Sequence, residues 1–251
     1  MDKGYYKEYY KLERSHWWFT ARMNILENQV DRIKGDSKEE LSILNIGVAT
    51  GATSKMLEKH GQVTSVEYDA DCCEFLRDKL QMEVTEASAT DLPFGDNEFD
   101  LVCAFDVLEH IDDHTTAASE INRVTKHGGN IFLTVPAHNF LWSEHDEINH
   151  HFRRYSVSEF KNLIESSGSS IEFFTSFNFW LFFPIATVRL VKGIFEKKKK
   201  NDSPKSDFDN FEAKGFVNSL LYRIFMSENL FLKNSVKLPI GVSLLCMAEK
   251  K

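Results

Sequence analysis

Leu44-Asn45-Ile46-Gly47-Val48-Ala49-Thr50-Gly51, with Glu67 following twenty residues after Gly47, is the stretch that decides the fold. An apolar run ends in a turn of small residues, and a helix-like segment follows. A second apolar run, Val63-Thr64-Ser65-Val66, then leads into the acid. Small residues let the backbone of a turn approach a ligand closely, and the free N–H groups of a new helix point at it. An acid at that distance can accept both hydroxyls of a ribose. The pattern predicts an α/β sheet that holds an adenosine-containing cofactor.

Outward from this stretch, short apolar runs recur near 41–46, 62–67, 82–87, 99–105 and 130–135, with helix-like segments between them. This alternation reads as βαβ units and a parallel sheet. Thr115 to Val124 reads as a helix stopped by Gly128-Gly129, and Gly61 as the stop of the helix before it. Ser156-x-x-Glu159 is a capping box that predicts a helix to about Ser166. Ile171 to Phe177 and Pro239 to Ala248 supply a sixth and a seventh strand. The expected fold is a Rossmann-like doubly wound seven-stranded sheet with its last strand antiparallel. One domain is expected, divided into an N-terminal helical cap (1–40), a cofactor-binding core (41–177), a helical insertion (178–238) and a final strand (239–251).

The 251 residues suffice for one large core, and 42% hydrophobic with 27% charged residues is a globular composition. A net charge of -8 argues against a nucleic-acid partner, which wants a basic face. Cys72, Cys73, Cys103 and Cys246 form no Cys-x-x-Cys, which points to reduced thiols in a cytosol. Met1-Asp2-Lys3-Gly4-Tyr5 lacks the apolar run of a signal peptide, so a cytoplasmic chain is expected. Phe179 to Phe195, with Pro184, Arg189 and Lys192, is too short and interrupted to span a bilayer. It reads as a cap helix on the core or as a membrane-surface helix. In the second case the Lys197–Lys200 run meets anionic headgroups, giving peripheral contact through 179–200 at the inner membrane face.

These motifs together resemble the class I S-adenosylmethionine-dependent methyltransferases over residues 41 to 175. The cofactor loop of that family, Asp-x-Gly-x-Gly-x-Gly, appears here as Asn45-Ile46-Gly47-Val48-Ala49-Thr50-Gly51, with Asn45 and Ala49 as departures. Glu67 matches the ribose acid and Tyr68 follows it. Ser88-Ala89-Thr90-Asp91-Leu92-Pro93-Phe94 resembles Asp-Ala-x-x-Leu-Pro-Phe, so adenine contact falls on Ser88 and Ala89. Phe99-Asp100-Leu101-Val102 and Asp106-Val107-Leu108-Glu109-His110-Ile111 resemble the fourth strand and the loop after it. His16-Trp17-Trp18-Phe19-x-x-Arg22 and His151-x-Arg153-Arg154-Tyr155 are similar to those of a bacterial subgroup associated with cell-surface glycan or lipid assembly. The resemblance implies S-adenosylmethionine as cofactor and a small-molecule or lipid-linked, glycan-type acceptor; the histidine-rich wall of the expected pocket favours O-methylation over N-methylation.

The remaining assignments follow from chemistry and position. A sulfonium methyl donor is already electrophilic, so alignment and exclusion of water can supply much of the rate. Asp106 lies at the carboxyl end of the fourth strand, where ligands of open α/β sheets bind. His145, His150 and His151 wall the acceptor side with His110, and His151 is the favoured assistant in deprotonation, with His145 and Asp106 as further candidates. Arg153 and Arg154 suit an acceptor carboxylate or phosphate. Trp17, Trp18 and Phe19 read either as a staple onto the core or as a lid in which Trp18 shields the sulfonium and Arg22 reaches the cofactor carboxylate. Glu109 and His110, with Asp112, Asp113 and His114, raise the question of metal; some members with an acid–histidine pair here use magnesium. Such runs are mostly solvated and magnesium prefers oxygen ligands, so no metal is expected. Two other classes stay open: a nucleotide-cofactor oxidoreductase or epimerase, and a non-catalytic protein that retains the cofactor cleft.

Overall fold

The computed structural model describes residues 6–195 and 215–251; Met1 to Tyr5 and the Lys197–Lys200 run lie outside the described residues. Seven strands pair in one sheet: β1 (Leu41–Ile46), β2 (Gly61–Glu67), β3 (Thr85–Glu86), β4 (Phe99–Phe105), β5 (Thr125–Pro136), β6 (Ser169–Phe177) and β7 (Ser243–Lys250). Their order is β3-β2-β1-β4-β5-β7-β6. The first five run parallel, and β7 lies antiparallel between β5 and β6. This is the mixed doubly wound sheet expected. The chain steps outward in opposite directions from the adjacent strands β1 and β4, which opens a cleft beyond their carboxyl ends.

Alternation along the strands builds two cores. Leu44, Val102, Ala104, Ile131, Leu133, Leu244 and Cys246 face one side, against α5 (His114–Val124) and α7 (Val157–Ser166). Their neighbours Ile43, Leu101, Cys103, Phe132, Leu245 and Met247 face the other, against α2 (Trp17–Lys34) and α3 (Ala52–Leu57). A period of two fills both faces because both are covered by helices. The capping box at Ser156 and Glu159 opens α7 as expected.

Two expected glycine stops are corrected. Gly61 does not end a helix: α3 closes at Leu57, and Gly61 is the first residue of β2. An added Cβ there would sit 2.0 Å from the Leu41 carbonyl oxygen, so the requirement is close approach of β2 to β1. Gly128-Gly129 lies inside β5, because α5 ends at Val124 and the strand begins at once with Thr125.

The N-terminal segment is more than a cap. α1 (Tyr6–Ser15) lies over the turn after β1, but α2 buries Ala21, Ile25, Leu26 and Val30 against the sheet. Three such aliphatic side chains are worth about 1.5–3 kcal/mol each. That is comparable with the about 5–15 kcal/mol that holds a whole domain folded. α2 is therefore part of the core packing, which favours the staple reading of this segment for Trp17. The segment before β7 forms α8 (Phe179–Phe195), α9 (Phe216–Met226) and α10 (Asn229–Leu232). Phe225 and Leu232 return to the α2 side of the sheet. Glu228 accepts the Trp180 amide at 3.1 Å and so anchors the start of α8.

Replacing Gly61 by Ala is expected to lower unfolding free energy by about 1–3 kcal/mol, the range for overpacking a closed site. Gly95→Ala, whose new Cβ meets only the end of the Glu98 side chain at 3.5 Å, is expected to stay within about 0.5 kcal/mol. Urea unfolding of both variants checks this; equal effects would show that β1–β2 spacing is not the constraint.

Candidate functional site

A cavity of about 1270 Å³ occupies the cleft at the carboxyl ends of β1 and β4. Its first end is the turn after β1. Gly47 and Ala49 both take left-handed backbone, with φ of 70° and 46°. A Cβ on Gly47 would stand 2.5 Å from the Val107 side chain, so this turn nests against the loop after β4. Ala49 holds, at some strain, a conformation that glycine adopts freely. Glu67 closes the turn: its carboxylate accepts the amides of Ala49 at 3.0 Å, Tyr68 at 2.9 Å and Asp69 at 3.1 Å. Exposed Tyr68, with Ser88 and Ala89, lines the same end.

α1 is latched to this turn by polar contacts. The Thr50 hydroxyl donates to Glu13, Arg14 donates to the Thr50 carbonyl at 3.1 Å, and Tyr6 donates to Asp69 at 2.8 Å. Burial, chiefly, raises the Glu13 carboxyl to about 7. Arg22, projecting from α2, binds Asp106 at 2.6 Å, and its Nε is buried with no partner. Asp106 itself sits in left-handed backbone at φ 58° and also accepts the Thr134 hydroxyl at 3.1 Å. Trp18 lies beside this pair, its ring centre 5.5 Å from the Arg22 guanidinium carbon, and its indole donates to Asn178 at 3.3 Å.

The other end is built by joining two loops. The Phe152 amide donates to the Glu109 carbonyl at 2.8 Å, and the Tyr155 hydroxyl donates to the Leu108 carbonyl at 3.2 Å. These bonds set the His110 and His151 rings 4.5 Å apart, edge to face. Asp146 of α6 (Glu144–Ile148) is fully buried and grips both His151 Nδ1, at 2.9 Å, and Arg154 Nε, at 2.8 Å. Burial acts on the Asp146 carboxyl in the opposite direction, but the His151 and Arg154 contacts win and hold it at about 2. Glu109 is buried and lacks a partner for Oε2; desolvation first, and the charge of Asp106 second, raise its proton affinity well above the usual range. His110 is exposed along the cavity, and desolvation there, with the neighbouring His151 second, lowers it to about 4. His145 lines the same wall, its ring 6.2 Å from that of His151.

Several expected site residues stand elsewhere. Asn45 does not line the cavity: its amide donates to Thr53 and Ser54, each at 2.9 Å, bracing β1 against α3. Gly51, at φ 80°, is the left-handed N-cap of α3 and packs against Met82 rather than the cleft. His150, another left-handed residue, is exposed and outside the cavity. Arg153 is committed to the carbonyls of Ile111 at 2.8 Å and Asp112 at 3.0 Å, so it clamps loops rather than an acceptor anion. Arg154 reaches the cavity wall but its Nε is taken by Asp146. Asp112, Asp113 and His114, grouped with Glu109 and His110 in the sequence, are replaced beside them by His151. Asp146 and Glu13 were missed. Ser143-x-x-Asp146 is itself a capping box, a visible signal, but nothing local tells that the acid also faces inward. Glu13 has no sequence signal at all; its partner lies 37 residues away.

Residues 44–133 match the methyltransferase domain family. Over 86 residues the chain is 35% identical to a demethylmenaquinone methyltransferase of Staphylococcus haemolyticus, covering 33% of this chain and 36% of that one. The chain thus spans about a third of the length of that curated relative. Among solved structures, an S-adenosylmethionine-dependent methyltransferase from Mesorhizobium loti superposes with a TM-score of 0.56 at 14% identity, over 88% of this chain and 96% of that chain. Haemonchus contortus phosphoethanolamine N-methyltransferase 2, solved with phosphomonomethylethanolamine and S-adenosylhomocysteine, gives 0.55 at 18% identity, over 95% and 59% respectively. These structural likenesses establish the fold.

Glu13→Gln tests the α1 latch. A carboxyl raised to about 7 in the folded chain binds more protons than its unfolded counterpart at 4.5, so its cost appears as pH rises through that interval. Relative to the parent, the variant is expected to gain stability between pH 4.5 and 7, by on the order of 3 kcal/mol, and to level off above. Denaturation at a series of pH values checks this; a pH-independent difference would mean that Glu13 is not held buried.

Proposed function

We propose that this chain, whose fold and matched domain are those of the class I S-adenosylmethionine-dependent methyltransferases, moves a methyl group from S-adenosylmethionine to an oxygen of a small or lipid-linked acceptor. One observation carries this reading: a single cavity joins the Glu67 turn to the Glu109, His110 and His151 cluster. Its 1270 Å³ exceeds the about 300–1000 Å³ of a one-ligand pocket, leaving room for cofactor and acceptor together.

The donor set suits the cofactor. Glu67 takes the ribose, and the Gly47–Ala49 backbone lies where the nucleoside must pass close to the turn. Ser88 and Ala89 border the adenine. The buried, unpartnered Arg22 Nε sits where a cofactor carboxylate would satisfy it, with Asp106 beside it for the ammonium. S-adenosylmethionine supplies the methyl group as part of an electrophilic sulfonium. Trp18 and Phe19 keep water from the reacting centre. Removal of the acceptor proton is assisted at the His110 and His151 cluster, which Asp146 orients from behind.

The cavity also has an apolar stretch of lining: Leu181, Pro184, Ile185 and Val188 of α8, with Leu221 of α9. No helix of the described residues is long and apolar enough to cross a membrane. Outside the cavity, Trp180, Phe183, Phe216, Val217, Leu230 and Phe231 are exposed. Apolar residues on both sides of one helix layer favour an amphiphilic acceptor presented at a lipid surface.

Titration calorimetry with S-adenosylhomocysteine is expected to show one site, weakened about tenfold or more by Glu67→Ala, since hydrogen bonds to a charged group are worth about 1.5–3 kcal/mol. Binding of NAD(P) instead would overturn the reading. With labelled S-adenosylmethionine and lipid extract, His151→Ala is expected to cut turnover about 10²-fold or more while leaving that affinity unchanged. Flotation with anionic vesicles at low salt is expected to carry the chain upward; failure to float would exclude surface presentation.

A further inference from the structure

We propose that Glu109, His110 and His151 form a binding site for a divalent first-row transition ion at the acceptor end of the cavity. The assignment of its role rests on the methyl-transfer reading; the site itself does not. One donor atom from each of the three residues lies within 4.8 Å of the other two. Metal–ligand bonds of about 2.0–2.2 Å place neighbouring ligand atoms about 3–3.5 Å apart, so modest side-chain rotation closes the set.

A second observation points to a cation independently of that spacing. Glu109 is only 1% exposed, and its Oε2 has no hydrogen-bond partner. A buried carboxyl oxygen left unsatisfied is costly, and the two acids nearest it in this wall are each paired with a guanidinium: Asp106 with Arg22, and Asp146 with Arg154. A bound cation supplies the missing partner.

The histidines define which cation. Asp146 holds Nδ1 of His151, which fixes the ring and leaves Nε2 as its donor, the arrangement by which carboxylates orient metal-ligating imidazoles. Two imidazoles and one carboxylate suit Zn²⁺, Mn²⁺ or Fe²⁺, not the oxygen-rich shells of magnesium and calcium. The expectation that no metal binds here weighed Asp112, Asp113 and His114 as companions of Glu109 and His110. Folding substitutes His151, which changes the donor chemistry.

Three protein ligands leave further coordination positions facing the cavity. An acceptor hydroxyl taking one of them would be acidified and aimed. Its proton passes to water in the cavity, its oxygen forms the bond to the methyl carbon, and the carbon–sulfur bond breaks with its electron pair returning to sulfur.

The test uses the full, tag-free chain, stripped with EDTA and returned to chelator-free buffer. Zn²⁺ is titrated by calorimetry and Co²⁺ by visible absorption, with S-adenosylhomocysteine binding measured on the same samples. One equivalent of ion is expected, with ligand-field bands for Co²⁺ that show nitrogen donors. His110→Ala and Glu109→Gln are each expected to weaken the ion about 100-fold, and Asp146→Asn, acting through His151, about 10–100-fold. Thermal melting confirms that each variant is folded, and Glu109→Gln preserves side-chain shape should His110→Ala fail. Absence of saturable uptake by a chain that still binds S-adenosylhomocysteine overturns the metal site alone, as does uptake that survives all the folded variants. Uptake by a chain that does not bind S-adenosylhomocysteine upholds the site and sinks the methyl-transfer reading.

Discussion

Everything in the cleft depends on a contact that forbids a side chain. The turn after β1 passes so close to the loop after β4 that a Cβ on Gly47 would meet Val107 at 2.5 Å. Because β1 and β4 are neighbours in the sheet, their two exits share one space, and both are bent sharply, Gly47 and Ala49 on one side and Asp106 on the other. Left-handed backbone at non-glycine positions persists only where surrounding structure holds it. Here the hold is visible: Glu67 accepts the Ala49 amide, and Arg22 and Thr134 grip the Asp106 carboxylate.

Arg22 ties this local geometry to the global fold. It projects from the same buried side of α2 as Ile25, Leu26 and Val30, which form part of the sheet's packing. The helix that covers the apolar face therefore also delivers a guanidinium to the carboxyl end of β4. α9 and α10 reinforce it from outside through Phe225 and Leu232. The cleft is consequently covered on that face by the N-terminal helices and the α8–α10 insertion, not by the βαβ repeat itself.

This division explains what was legible in the sequence. The repeat announced itself because strand alternation and turn chemistry are local: β1, β2, β4 and the Glu67 distance are all written within short windows. The third strand shrank to Thr85–Glu86 because it is an edge with few pairing residues. Gly61 and Gly128 misled because glycine reads the same whether it stops a helix or admits a neighbouring strand. Position at the cavity was legible where backbone set it, as for Gly47 and Glu67, and illegible when a distant partner decided. Arg153 and Arg154 look like anion binders until folding supplies the Ile111 carbonyl and Asp146. Asn45 looks like a cofactor ligand until Thr53 and Ser54 claim it.

The acidic groups of the cleft make the same point in electrostatic terms. A carboxylate withdrawn from water stays ionised only where a cation or several donors replace the lost hydration. Asp146, though fully buried, has both Arg154 and His151, and it remains a strong acid despite the opposing effect of burial. Asp106 has Arg22. Glu109, held between them, has neither a guanidinium in contact nor a donor for Oε2, and Asp106 adds a like charge. Two arginines have been distributed among three acids, and the acid left over is the one that faces the two histidines. That remainder is a property of the arrangement, since Glu109 and His110 are adjacent in sequence while His151 is brought to them by the Phe152–Glu109 backbone bond. The same bond that shapes the wall thus sets an unpartnered carboxyl oxygen beside the two imidazoles.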